Sequence, residues 1–186
     1  MSEKTSSEMD DVGRSTGRSG AREEIEAERR RVDVADSLAI SRVAFEELLG
    51  SLKDADLLVK RPGSVWSVRE VAVHLISSIE RTPDLIGRLR RRDNYLNLPL
   101  SIAEPIKRLY TWWAARNATR QDLVRRFDAA FPPVLALVHT IRWNEWDRGG
   151  YAYGEGYWTV EHAFLHQREH VETHIRQIRQ LLGQRT

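Results

Sequence analysis

His162-Ala-Phe-Leu-His166-Gln-Arg-Glu-His170-Val-Glu-Thr-His174-Ile-Arg-Gln177-Ile178 sets four of the chain's six histidines at intervals of four residues. Steps of three and four keep side chains on neighbouring parts of one helix face. Val160, Val171, Ile175, Ile178 and Leu182 recur with the same helical period and define an apolar stripe. Thr159 supplies an N-cap, and Gly183 is a natural stop after about Leu182. At roughly 100° per residue, His174 falls within about 60° of the stripe's centre and His170 lies at its edge. His166 sits further round, and His162 points nearly opposite, toward solvent. The spacing therefore selects His170 and His174 as an inward pair, close enough for both imidazoles to hold one metal ion.

The same period organises the rest of the chain. Val32, Ala35, Leu38, Phe45 and Leu49 predict a first helix that starts near Ala21 and stops at Gly50. Pro62-Gly63 marks a turn. Ser67-Val-Arg-Glu70 is a capping box opening a second helix, whose stripe is Val68, Val71, Leu75 and Ile79. Pro83 is expected to kink or end that helix, with a second piece running to about Arg92, and Tyr95 to Leu100 reads as a loop. Pro105 suits the first turn of a short helix through Trp112-Trp113. Thr119 caps a further helix with Asp122 in its first turn, and Phe131-Pro132-Pro133 is expected to bend or break it. Trp143 to Tyr157, with four glycines and five large aromatics, reads as a long loop that could wall a site. No strand alternation is evident. The expected fold is all-α, an antiparallel four-helix bundle with short extra pieces.

Composition bounds the function. A chain of 186 residues favours one domain. Residues 1–20 are polar and rich in Ser and Gly, so they are expected to form a disordered tail, with residues 21–186 as the domain. The tail lacks the apolar core of a secretory signal, and no run of 18 apolar residues occurs, so the expected location is cytoplasmic and off the membrane. There is no cysteine, which excludes disulfides, thiolate ligands and a cysteine nucleophile. Any thiol chemistry needs a thiol from outside. The basic clusters Arg29-Arg30-Arg31 and Arg88-Leu-Arg-Arg-Arg92 are diluted by 27 acidic residues and a net charge of only +2. They read as solvated helix faces, which makes nucleic-acid binding the weakest functional class.

A catalytic zinc site usually has three protein ligands and one open position. His74, on the second helix, and His139 are the two histidines outside the last helix, and periodicity prefers neither as the third ligand. Trp66-Ser-Val-Arg-Glu-Val-Ala-Val-His74-Leu-Ile resembles the second-helix signature of the DinB/YfiT-like superfamily. His170-Val-Glu-Thr-His174-Ile-Arg-Gln177-Ile178 resembles its final-helix signature, His-x-x-x-His-x-x-Gln-Ile. The resemblance covers roughly Val32 to Gly183. It implies a four-helix bundle with a divalent metal bound at one end, and it carries the ligand roles onto His74, His170 and His174. His166 then becomes a neighbour of the site, and Gln177 could orient an imidazole.

Related members are thought to be metal-dependent S-transferases using bacillithiol, mycothiol or glutathione, and one branch isomerises maleylpyruvate with mycothiol. The resemblance thus implies a thiol S-transferase acting on a small electrophile. A metal-dependent hydrolase and a non-catalytic metal-binding stress protein are the alternatives. Zinc is the expected ion, while nickel and iron accept the same ligands. The apolar helix faces also leave room for a homodimer.

Overall fold

The computed structural model describes residues 6–184. Its helices are α1 (Ser6–Ser51), α2 (Val68–Arg90), α3 (Leu100–Ala115), α4 (Arg120–Val138) and α5 (Val160–Leu182). A one-turn 3-10 helix spans Asp56–Leu58, and the antiparallel strands β1 (Gly149–Ala152) and β2 (Gly156–Thr159) form a hairpin before α5. Of the segment read as a tail, residues 1–5 lie outside the described residues, and the helix trace covers 6–20. Once a helix is nucleated by its packed part, extending it needs no new nucleus.

The bundle proper is α1, α2, α4 and α5. Each of α1 and α2 packs against both α4 and α5, so α1 and α2 lie diagonally across the core. Side-chain pairs fix the directions. His74 meets His170 while Thr82 meets Gln167, so α2 and α5 are antiparallel. Arg126 meets Glu80 while Arg90 meets Thr140, so α2 and α4 are parallel. Arg31 meets the Ile141 carbonyl while Phe45 meets Phe127, so α1 and α4 are antiparallel. Two helices therefore run each way. Parallel neighbours need a connection that returns along the bundle. Between α2 and α4 that return is α3, which packs outside α2.

Local signals set the helix starts. Ser67 accepts from the Glu70 backbone N–H and donates its own to Glu70 Oε2 at 2.8 Å. Thr119 and Asp122 repeat the arrangement on α4. Losing the Ser67 hydroxyl in Ser67→Ala is expected to cost about 1 kcal/mol, read as a lower midpoint in denaturant with an unchanged slope. Gly183 ends α5 in the left-handed conformation, at φ 76°.

Several expectations need correction. Val32 is exposed, and Val34 is buried in its place, together with Ala27, Leu38, Phe45, Leu48 and Leu49. Pro83 sits inside an unbroken α2, and Pro132 and Pro133 sit inside an unbroken α4. Packing explains both. Leu85, Ile86 and Leu89 are buried beyond Pro83, and Phe131 and Val134 are fully buried on either side of the proline pair. Pro132 and Pro133 lie on the exposed side of α4, where water can serve the carbonyls that they leave unbonded. Pro105 lies one turn deeper than expected, because α3 starts at Leu100.

The Trp143–Tyr157 segment is not all loop. Gly149 faces the Trp158 carbonyl, and a Cβ on Gly150 would lie 2.3 Å from the Asp93 carbonyl. Gly149 lets the two strands close on each other, and Gly150 lets the hairpin seat against the chain that leaves α2. Tyr95 N–H donates to the Tyr151 carbonyl at 2.9 Å, and Tyr153 N–H donates to the Tyr95 carbonyl at 3.0 Å.

Candidate metal centre

Three imidazoles converge between α2 and α5. His74 Nε2 lies 3.1 Å from His170 Nε2, and His174 Nε2 lies 2.9 Å from the same atom. His74 sits nearly two turns into α2, held there by the buried stripe around it. His170 and His174 are successive turns of α5, flanked by buried Val171, Ile175 and Ile178. One nitrogen from each ring lies within 4.8 Å of the other two, a cluster that could hold a metal ion. An ion about 2.0–2.1 Å from each nitrogen in tetrahedral geometry keeps its ligand atoms roughly 3.3 Å apart. The two spacings to His170 Nε2, 3.1 Å and 2.9 Å, are close to that.

The surroundings set the protonation. His174 Nδ1–H donates to Gln177 Oε1 at 2.7 Å, which leaves its Nε2 lone pair facing the cluster. Burial, then the charge of a protonated His174, pushes His74 down to about 3. Burial and the two neighbouring imidazoles push His170 down to about 2. Burial also lowers His174, against the opposing effect of Gln177. All three are thus neutral near pH 7, the form in which imidazole ligates metals. The Nδ1 atoms of His74 and His170 are buried without a hydrogen-bond partner among the described residues. The Trp66 ring packs 4.6 Å from His74 and 6.5 Å from His174, closing the cluster on the other side.

These directions predict a pH dependence. Unfolded histidines take up protons below about pH 6.5. Folded His74 and His170 resist protonation until about 3 and about 2. The folded protein therefore binds fewer protons through this window, and metal-free stability falls as pH drops below about 6.5. Thermal melts of metal-free protein should show a lower Tm at pH 5 than at pH 7.5, with a shallower fall in His170→Ala. An equal fall in both proteins would contradict the assignment to the cluster.

A cavity of about 370 Å³ adjoins the cluster and is lined by His74 and His170 on one side. Leu98, Leu100, Ile106 and Tyr110 give it an apolar wall, and Lys107 and Arg81 place two cations on it. Lys107 pairs with Glu104, and the Arg81 guanidinium sits 5.7 Å from the centre of the Tyr110 ring. Tyr153 and Trp158, from the hairpin, also line it, with ring centres 5.3 Å apart. Tyr153 adopts φ 56°, a left-handed conformation uncommon for a bulky side chain.

The structure brings together His74, His170 and His174, and it sets Gln177 against His174. His166 lines the cavity, stacked 5.6 Å from His170 and resting on Trp158 at 4.5 Å. His162 is exposed, as the wheel predicts, and His139 is the exposed C-cap residue of α4, outside the cluster. Sequence reasoning did not find Lys107, Arg81 and Tyr110 as wall residues. Lys107 and Tyr110 stand on α3 and Arg81 on α2, and periodicity within either helix does not say which partner they face.

The family model described as the DinB superfamily matches residues 37–178, a span that holds all three clustered histidines. The chain belongs to the DinB superfamily. No curated protein matches it. Among solved structures, this DinB-superfamily chain is similar to YfiT from Bacillus subtilis, described as a probable metal-dependent hydrolase with an unusual four-helix bundle topology. The identity is 16% and the TM-score 0.63, over 83% of this chain and 89% of that one, a likeness of fold. Among the described residues, no helix is long and apolar enough to cross a membrane.

Proposed function

We propose that this DinB-superfamily protein is a metal-dependent enzyme, with His74, His170 and His174 as the ligands of one divalent ion. The observation that carries the reading is the convergence of three neutral imidazoles beside an open cavity. A divalent ion there, with zinc as first choice for an all-imidazole set, supplies a Lewis acid that lowers the pKa of a thiol or water molecule. The finer reading is transfer of a low-molecular-weight thiol to a small electrophile, inside the cell. The chain has no cysteine, so the thiol comes from solution. Lys107 and Arg81 offer charge to a carboxylate-bearing thiol, and the apolar wall offers burial to the electrophile. Trp66 and the core below exclude water from the closed side of the cluster.

The test is elemental analysis of protein purified without an affinity tag, followed by a panel of thiols and electrophiles with the loaded protein. Conjugation that requires both metal and thiol supports the transferase. Turnover of esters or amides without thiol would replace it with a hydrolase, the class named for YfiT as a probable metal-dependent hydrolase. Metal uptake with neither activity would leave a passive binder. Gln177→Leu removes the acceptor that orients His174, and it is expected to weaken metal affinity by about 10–100-fold, measured by chelator competition.

A further inference from the structure

Arg81 is a cation without an anion. It is half-buried on the wall of the cavity beside the histidine cluster. Its Nε is buried with no hydrogen-bond partner, and among the described residues no carboxylate pairs with its guanidinium. The Tyr110 ring faces it at 5.7 Å, a contact that neutralises none of its charge. The other cation on the wall is matched, because Lys107 pairs with Glu104 one turn away on α3. Glu155 also lines the cavity, but it is exposed, and water screens it. Charges withdrawn from water are normally paired, so an unmatched guanidinium on a cavity wall points to an anion that the ligand brings.

A second donor stands close by. Burial pushes the Tyr153 phenol well above its ordinary range, while the Arg81 charge acts in the opposite direction, so that charge reaches the phenol. Tyr153 therefore stays protonated and able to donate. Its backbone is held at φ 56°, with its N–H on the Tyr95 carbonyl and its ring on Trp158. Strain of this kind persists only where the surroundings fix the residue, and it gathers at ligand clamps. On α2, His74, Ser78 and Arg81 follow steps of four and three, so they share one face, and all three line the cavity. We infer that Arg81 and Tyr153 bind a carboxylate of the substrate, whose reacting end lies seven residues of helix away, about 10 Å, at the histidine cluster. The planar fork of a guanidinium matches the two oxygens of a carboxylate. One unmatched charge suits a monoanion rather than a phosphate dianion, and the apolar wall of Leu98, Leu100 and Ile106 suits a carbon chain between the two ends. The carboxylate end rests on the cavity alone, and the reacting end rests on the metal-enzyme reading.

Isothermal titration of metal-free protein with octanoate and with octan-1-ol tests the carboxylate end without the metal. Octanoate should bind about 10-fold or more tightly than the alcohol, the difference that a charge-assisted hydrogen bond makes. Arg81→Gln should remove that preference, Tyr153→Phe should reduce it, and Lys107→Gln should keep it. Equal affinity for acid and alcohol in the wild type overturns the proposal. So does a preference that survives in folded Arg81→Gln or that Tyr153→Phe leaves unchanged, and so does tighter binding of octyl phosphate than of octanoate. Elemental analysis reads the metal separately, so a chain that binds octanoate but no metal keeps the anion site and loses the metal-enzyme reading. With loaded protein, the reactant whose KM rises in Arg81→Gln, thiol or electrophile, is the one that carries the carboxylate.

Discussion

His170→Ala is expected to abolish metal binding. His170 Nε2 is the shared vertex of the cluster, 3.1 Å from one partner nitrogen and 2.9 Å from the other. Its removal leaves two imidazoles on different helices with one corner empty. Loss of a residue that merely orients a ligand costs about 10–100-fold in affinity, so loss of a ligand should cost more than 100-fold. Elemental analysis of the two proteins, purified in parallel, reads the effect directly. A second readout is thermal. A saturating ion at about 1,000 times its Kd stabilises the folded state by about 4 kcal/mol, and this Tm increment should appear in the wild type and vanish in the variant. Equal metal content in the two proteins would refute the ligand assignment.

Phe127→Ala is expected to give the largest loss of stability from a single core change. The Phe127 ring is fully buried, 4.9 Å from Phe45 in an edge-to-face pair and 5.2 Å from Phe131. It is the aromatic link between α1 and α4. Truncation removes the buried area and leaves a cavity bounded by two helices, at a cost of about 3–5 kcal/mol. For a chain of this length, each kcal/mol moves Tm by about 2–4 °C. Calorimetry should therefore show a fall of roughly 6–20 °C, and a fall below about 3 °C would mean that the core closes over the gap. The variant should still take up metal at low temperature, because among the described residues the Phe127 ring packs on Phe45 and Phe131 and on none of the three imidazoles.

The bundle was legible in the sequence wherever the deciding interactions are local. Ser67 with Glu70, Thr119 with Asp122, Thr159, and Gly183 announce helix ends because each acts within one turn. The prolines misled for the opposite reason. Pro83, Pro132 and Pro133 weaken a helix locally, but the buried residues around them are fixed by other helices, which no local rule contains. The hairpin escaped because its glycines serve close approach to the Asp93 and Trp158 carbonyls, and its side chains show no clean alternation. The site divided in the same way. His170 and His174 share one helix face and could be paired by periodicity alone. His74 meets them across 96 residues of chain, and periodicity ranked it no higher than His139. The family resemblance named His74, and the structure places His74 beside the pair and His139 away from it. Lys107 and Arg81 became visible only with the path of α3.

That path has an evolutionary corollary. The clustered histidines stand on α2 and α5, whose inward faces are locked into the core. The wall opposite them belongs to a connecting helix that buries only Thr111 and Ala115. Substitutions along α3 can reshape the cavity at little cost to the fold, while nearly any change around the cluster disturbs packing as well. On the proposed reading, the reagent that activates and the surface that selects are separately mutable. Relatives sharing the same three histidines can then diverge in substrate through sixteen residues of one helix.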